Sequence, residues 1–331
     1  MNCPICSISI DESDFLRTYI FPYHNQEYKL YHCLRCDLKF WYPLKIFPEF
    51  YEKEMIGGYF EMHVGIRKAP VWQNIFLKNF LNKKGNLLDV GCGSGVFLKG
   101  VKKFGFNVYG IDFDNKSVKV AREEFSLKNV YNIDLKTFTE SRKKDSLKFD
   151  IITFFEVLEH QDDPIVFIRE IKKLLRTGGY IAGSVPDSKR PFVERERNLN
   201  TGDFPPHHFL WFSENALRFL FEKEGFTDIK FYPVRFNLWY YAAFLEATLL
   251  GEFGKRVKVG LKRFFIKPKN EKEIILCVDT LQKLNRNKKS ILVLQFLRLI
   301  RNIIFLPLAM LLFPLLIKRG YQIYFQAKFK N

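Results

Sequence analysis

Asn86-Leu-Leu-Asp-Val-Gly-Cys-Gly-Ser-Gly95 is the stretch on which the fold turns. Its first five residues, Asn86 to Val90, read as a buried strand of a parallel sheet. Gly91, Gly93 and Gly95 then make a tight turn, and Val96 to Phe104 returns to helical spacing. Asn107 to Ile111 is a second strand-like run that ends at Asp112. Strand, glycine turn, helix and a strand tipped by an acid form a βαβ unit. The expected fold class is therefore α/β, with a doubly wound, mostly parallel sheet. Ligands of such sheets bind past the carboxyl ends of the strands, where the glycines and Asp112 lie.

The turn also selects its ligand. A dinucleotide site wants G-x-G-x-x-G, which lays a diphosphate on the helix N-terminus. Here the third glycine comes one residue early, and Asp89 precedes the turn. An anionic Asp89 suits a cationic adenosyl ligand better than a diphosphate, and Asp112 can accept hydrogen bonds from ribose hydroxyls.

Leu87-Leu-Asp89-Val-Gly91-Cys-Gly93-Ser-Gly95 resembles motif I of the class I S-adenosylmethionine-dependent methyltransferases. Gly110-Ile-Asp112 is similar to the ribose-binding acid of that family, and Asn132-Ile-Asp134-Leu135 to the segment that contacts the adenine amino group. Phe149 to His160, with Asp163-Pro164, resembles motif IV, and Gly178 to Pro186 resembles strand five. The resemblance covers residues 85–236. It implies a seven-stranded Rossmann-like sheet that holds S-adenosylmethionine through Asp89, Gly91, Gly93, Gly95, Asp112, Asp134 and Glu156. Cys92 reads as a small residue that fits the turn, because methyl transfer from a sulfonium is direct displacement.

Two groups are placed to handle the acceptor. Glu156, Glu159 and His160 form an E-x-x-E-H run whose members could share a face of the following turn. A similar run holds a divalent ion in ubiquinone-pathway and small-RNA 2′-O-methyltransferases, which implies a site for an ion such as Mg²⁺. The alternative is a cap and packing cluster, since E-V-L-E-H also occurs in relatives without metal. The second group is Asp203-Phe-Pro-Pro-His207-His208, followed by Phe-Leu-Trp-Phe-Ser213. Adjacent prolines predict an extended, stiff loop, and a histidine is suited to proton abstraction near neutral pH. His207 and His208 are the candidate catalytic residues; a structural hydrogen bond to a loop carbonyl is the alternative. Ser213 to Gly225 reads as a capped helix, Phe226 to Phe236 as strand six and Tyr321 to Phe329 as a last, antiparallel strand.

Cys3-Pro-Ile-Cys6 and Cys33-Leu-Arg-Cys36 supply two C-x2-C knuckles. Four thiolates at this spacing fit one tetrahedral, structural Zn²⁺ with no open position. Metal would also stabilise a module too small to hold much core of its own. His24 and His32 read as solvated or packing residues.

The domain reading follows: a zinc-ribbon-like module at 1–45, linker and leading helices at 46–84, the cofactor-binding core at 85–236, a helical basic and apolar insertion at 237–318, and the final strand at 319–331. Residues 251–331 hold 18 Lys and Arg against 4 Asp and Glu, a net +14, whereas residues 1–250 hold 35 against 32, a net +3. The insertion also contains an uncharged run from Asn302 to Ile317, about 24 Å as a helix and too short to span a bilayer. From Ile291 onward, Gln295, Arg298 and Asn302 recur on one helical face, with apolar residues on the others. An interfacial helix at an anionic membrane surface is the expectation; an acceptor-site cap or a dimer contact is the alternative. The first residues lack a basic n-region and an apolar h-region, so a cytoplasmic protein docked peripherally is expected. The acceptor is expected to be a small or lipid-linked molecule, sugar or quinone-like. An RNA acceptor would suit the charge and the cysteine knuckles. It is disfavoured because the charge is interleaved with long apolar runs and not with a groove-like Lys/Arg and aromatic alternation. A binding module that kept the fold without the activity is the remaining reading.

Overall fold

The computed structural model describes residues 1–21, 25–45, 69–142, 147–199, 201–235, 303–312 and 320–330, with single positions between 238 and 249. Most of the expected 237–318 insertion, including Gln295, Arg298 and Asn302, lies outside the described residues, as does His24.

Aromatic and branched residues alternate near the amino terminus, and three antiparallel strands form there: β1 (Phe15–Phe21), β2 (Gln26–Cys33) and β3 (Leu38–Tyr42). The chain then enters the helix Trp72–Phe80 and the parallel strands β4 (Gly85–Val90), β5 (Phe106–Ile111), β6 (Val130–Tyr131), β7 (Phe149–Phe155) and β8 (Leu175–Pro186). Helices Val96–Lys102, Asn115–Glu123, Leu135–Ser141 and Pro164–Leu174 connect them. Asp114, Asp134 and Asp163 cap the last three by accepting backbone N–H bonds, the reason these helices begin where they do.

Beyond β8 the chain makes the two-residue strand β9 (Leu210–Trp211), the helix Glu214–Lys223 capped by Ser213, and strands β10 (Phe226–Val234) and β11 (Gln322–Phe329). The central sheet has seven strands in the order β10-β11-β8-β7-β4-β5-β6. β11 is antiparallel to both β8 and β10. Strand order reverses at β4, with β5 on one side and β7 on the other, so the crevice expected of such a sheet opens at the carboxyl ends of these strands.

β9 belongs to the other sheet. Phe40 pairs with Leu210 and Lys39 with Trp211, giving the order β1-β2-β3-β9. The amino-terminal strands thus share a sheet with the loop after β8. Trp41 and Trp211 meet edge to face at 5.4 Å, and one apolar core runs from Cys3 through Phe209 to Ala327.

Contacts divide the chain into two compact units. The first comprises Met1–Arg190, Thr201–Val234 and Tyr321–Asn331; the second comprises Pro191–Asn200 and Arg235–Gly320. Within the second, the helical stretch 303–312 packs Phe305 and Ala309 against Tyr241, Ala242 and Leu245. Ile303, Ile304, Met310 and Leu311 of the same stretch are exposed. Among the described residues, no helix is long and apolar enough to cross a membrane.

Candidate active site

Gly91, Gly93 and Gly95 all take positive φ, at 73°, 51° and 74°. At Gly91 a Cβ would also lie 2.5 Å from Val157 Cγ2, so both backbone and packing demand glycine there. The turn is fastened from β5: Asp112 accepts a bond from the Gly93 N–H at 2.7 Å and one from the Asp114 N–H at 2.8 Å. Asp112 therefore stands at the tip of β5, against the glycine turn. Asp134, past β6, accepts bonds from the Thr137 N–H and hydroxyl, both at 2.8 Å. Burial would raise its pKa, and these bonds outweigh burial and hold it below the usual carboxylate value.

The Asp89 carboxyl is buried between β4 and β7, where Thr153 Oγ1 donates to it at 2.7 Å. Burial pushes it up to about 8, with the Thr153 bond opposing and the Asp112 charge adding to the rise. Cys92 is buried, with its thiol against the Gly93 carbonyl.

Glu156 follows β7 with φ 55°, a left-handed conformation that costs an ordinary residue energy and occurs preferentially at ligand sites. Its carboxylate accepts from Ser184 Oγ at 2.7 Å, and its N–H donates to the Ser184 carbonyl at 2.9 Å. That turn separates the E-x-x-E-H run. Leu158–His160 form a single 3₁₀ turn, and among the described residues Glu156, Glu159 and His160 do not together make a metal-capable group. Glu159 is buried; burial, then the Glu156 charge, pushes its carboxyl well above the usual carboxylate range.

His160 instead joins the histidines of the later loop. Its ring lies 4.7 Å from that of His207 and 4.8 Å from that of His208, and the latter two stack at 4.3 Å. Residues 204–207 form a turn and not the extended loop that the prolines suggested: the His207 and His208 N–H groups both donate to the Phe204 carbonyl. His208 Nδ1 donates to Asp203 Oδ1 at 3.0 Å, and Arg190 Nη2 donates to Asp203 Oδ2 at 3.1 Å. Burial, with the neighbouring imidazoles, lowers His160 to about 3 and His207 far below its ordinary value. The Arg190–Asp203 pair escaped the sequence reading, because neither its spacing nor its residue types distinguish it from a surface ion pair.

The four amino-terminal cysteines form a separate group within the same unit. Their sulfurs lie within 4.8 Å of one another, with Cys3–Cys36 at 3.5 Å and Cys6–Cys33 at 3.4 Å. The bond from Cys36 pulls Cys3 down to about 5, while the same contact drives Cys36 far up and burial lifts Cys6 to about 11. Asp37 latches the second knuckle to the core, accepting from Lys189 Nζ at 2.5 Å and from Ser213 Oγ at 2.7 Å, while His32 lies 3.1 Å away.

The glycine turn and the acids at the ends of β4 to β7 lie within residues 67–230, and a family model described as a methyltransferase domain matches that stretch. This segment resembles a methyltransferase domain. The seven-stranded sheet described above is Rossmann-like. The ubiquinone biosynthesis O-methyltransferase of Pelagibacter ubique is 39% identical over 97 residues, which are 29% of this chain and 40% of that protein. The corresponding protein of Actinobacillus pleuropneumoniae is 35% identical over 114 residues, covering 31% of this chain and 49% of that protein. The chain thus spans less than half the length of these relatives. A solved structure of a SAM-dependent methyltransferase from Archaeoglobus fulgidus superposes with a TM-score of 0.45 at 18% identity, covering 82% of this chain and 99% of that one.

Proposed function

We propose that the protein transfers the methyl group of S-adenosylmethionine to a hydroxyl of a small, quinone-like acceptor. The observation that carries this reading is the carboxyl edge of the sheet: the glycine turn, Asp112, Asp134 and Glu156 leave β4, β5, β6 and β7 at one end. Asp112 and the turn would hold the ribose and the sulfonium end, with Asp89 beneath them, and Asp134 would hold the adenine amino group. The names of the ubiquinone-pathway relatives support the acceptor class.

The acceptor's hydroxyl would lose its proton beside His207 and His208, where the turn after β8 presents both rings. The oxygen lone pair then forms the new O–C bond in line with the breaking C–S bond. The electron pair of that bond stays on sulfur, giving neutral S-adenosylhomocysteine, and the proton passes to solvent. Alignment of the two reactants supplies roughly 7–11 kcal/mol of such a barrier. Incubation with methyl-labelled S-adenosylmethionine and a panel of catechols and phenols bearing polyprenyl tails tests the reading. Label is expected in the ether of a phenolic product, and label appearing only in sugars or RNA would overturn it.

Two further parts of the reading are structural. The cysteine group fits a structural Zn²⁺: four buried sulfurs face one another, the four-thiolate donor set that a closed tetrahedral zinc site takes. The apolar, exposed residues Ile303, Ile304, Met310 and Leu311 lie in a region carrying net +14. That combination supports peripheral docking on an anionic bilayer, where a polyprenyl-tailed acceptor would reside.

A further inference from the structure

One carboxylate oxygen holds both ends of the segment that carries the histidine turn. Lys189, just past β8, donates from Nζ to Asp37 Oδ2 at 2.5 Å. Ser213, which caps the helix after β9, donates from Oγ to the same oxygen at 2.7 Å. The Ser188 N–H donates to the Phe212 carbonyl at 2.8 Å, closing the same junction through the backbone. Between these ends the chain carries Asp203, His207 and His208. We propose that Asp37 is a positioning residue: by tying Lys189 to Ser213 it fixes the histidine turn, and through that turn the acceptor.

Asp37 is itself held in place. Its N–H donates to the Cys33 carbonyl at 2.8 Å, so the second knuckle carries it. Its φ of 63° is a left-handed value that Asp tolerates better than most residues. His32 Nε2 lies 3.1 Å from Oδ1, which leaves Oδ2 to the two ends of the segment. Lys189 is nearly half exposed, so the ion pair contributes little by itself. Ser213 is buried, and its Oγ also accepts from the Ala216 N–H that begins the helix. What Asp37 adds is therefore geometry at the base of the segment.

The same amino-terminal strands hold the turn from behind. Arg17 of β1 places its guanidinium 5.1 Å from the Phe204 ring and 5.3 Å from the Trp211 ring, and Tyr19 lies 4.8 Å from Phe204. Trp211 Nε1 donates to the Asp203 carbonyl at 2.7 Å, beside the carboxylate that holds His208. Misplacing reacting groups by about 1 Å can cost on the order of 100-fold in rate. Among the described residues, the side-chain bonds of Asp37 go to Lys189, Ser213 and His32, and not to the glycine turn, Asp112 or Asp134. Cofactor affinity should therefore not depend on it. The effect on the acceptor rests on the O-methyl transfer proposed above, whereas the tie between Lys189 and Ser213 does not.

The test compares full-length, zinc-loaded wild type with Asp37→Gly, which keeps the left-handed backbone and removes the carboxylate, and with Asp37→Asn, which keeps an acceptor for Ser213. Zinc content should stay at one per chain, and affinity for S-adenosylhomocysteine should stay within twofold. In Asp37→Gly, peptides spanning residues 203–213 should exchange hydrogen at least tenfold faster. With a phenol that the wild type methylates, kcat/KM for the phenol should fall at least tenfold while KM for S-adenosylmethionine stays within twofold. Asp37→Asn should recover part of both losses. Unchanged exchange at 203–213 in Asp37→Gly would overturn the proposal, as would cofactor affinity that falls in step with kcat/KM. If no phenol is methylated, exchange at 203–213 still decides the tie, and only the acceptor reading is lost.

Discussion

Replacing Asp112 by Ala removes the acceptor of two backbone N–H bonds, from Gly93 at 2.7 Å and Asp114 at 2.8 Å. Hydrogen bonds to a charged acceptor contribute about 1.5–3 kcal/mol each. The Gly93 bond is the one that shapes the cofactor turn, so at least one such increment should appear in cofactor affinity. That is a weakening of roughly 10- to 150-fold, at 1.36 kcal/mol per factor of ten. Asp112→Asn keeps the shape, but its amide has one acceptor oxygen in place of two, so it should fall between wild type and Ala. Calorimetric titration with S-adenosylhomocysteine measures the affinity, and urea unfolding separates it from a loss of fold. A folded Asp112→Ala protein with affinity within twofold of wild type would refute the reasoning.

Removing the zinc ligands by Cys3→Ser or Cys36→Ser should abolish thiolate-bound Zn²⁺ and loosen β1 to β3. Because β3 pairs with β9, hydrogen exchange should quicken around His207 and His208 too, while cofactor binding persists; a metal-free but fully protected amino terminus would contradict this. Asp89 sets a pH dependence. Burial raises its folded-state pKa from 3.8 to about 8, so the folded state binds that proton more tightly, and the stabilisation is complete below about pH 4 and is lost as pH rises through 8. Urea midpoints of the cofactor-free protein should therefore fall between pH 5 and 9, less so in Asp89→Asn. Sedimentation with anionic vesicles should exceed that with neutral ones, weaken with salt, and drop when Met310 and Leu311 are replaced by Ser; equal sedimentation with both vesicle types would remove the electrostatic part.

The central sheet was legible because its signals are local. A strand, three glycines that only a left-handed turn demands, and an acid at a strand tip need no knowledge of the rest of the chain. Asp112 and Asp134 stand at the strand ends where that pattern puts them. The long-range features were not legible. Strand β9 is two residues long and has no period to read, yet it joins the amino-terminal sheet to the histidine turn. Spacing suggested that Glu156, Glu159 and His160 share a face, but the left-handed Glu156 redirects the chain and sends that side chain to Ser184. The Thr153 hydroxyl that holds Asp89 between β4 and β7 could not be read, because sequence does not tell which face of β4 meets it. The Pro205-Pro206 pair suggested extension, whereas bonds to the Phe204 carbonyl fold the segment into a turn. Asp37, which fastens the second knuckle to Lys189 and Ser213, is one acid among many until the partners are seen.

The central claim is that the glycine turn and Asp112 bind an adenosyl sulfonium. Equilibrium titration of the full-length protein with S-adenosylmethionine, and in parallel with NAD, tests it most directly. The account predicts one S-adenosylmethionine per chain and no measurable NAD binding. Saturable NAD binding, or a folded protein that does not bind S-adenosylmethionine at any concentration, would contradict it.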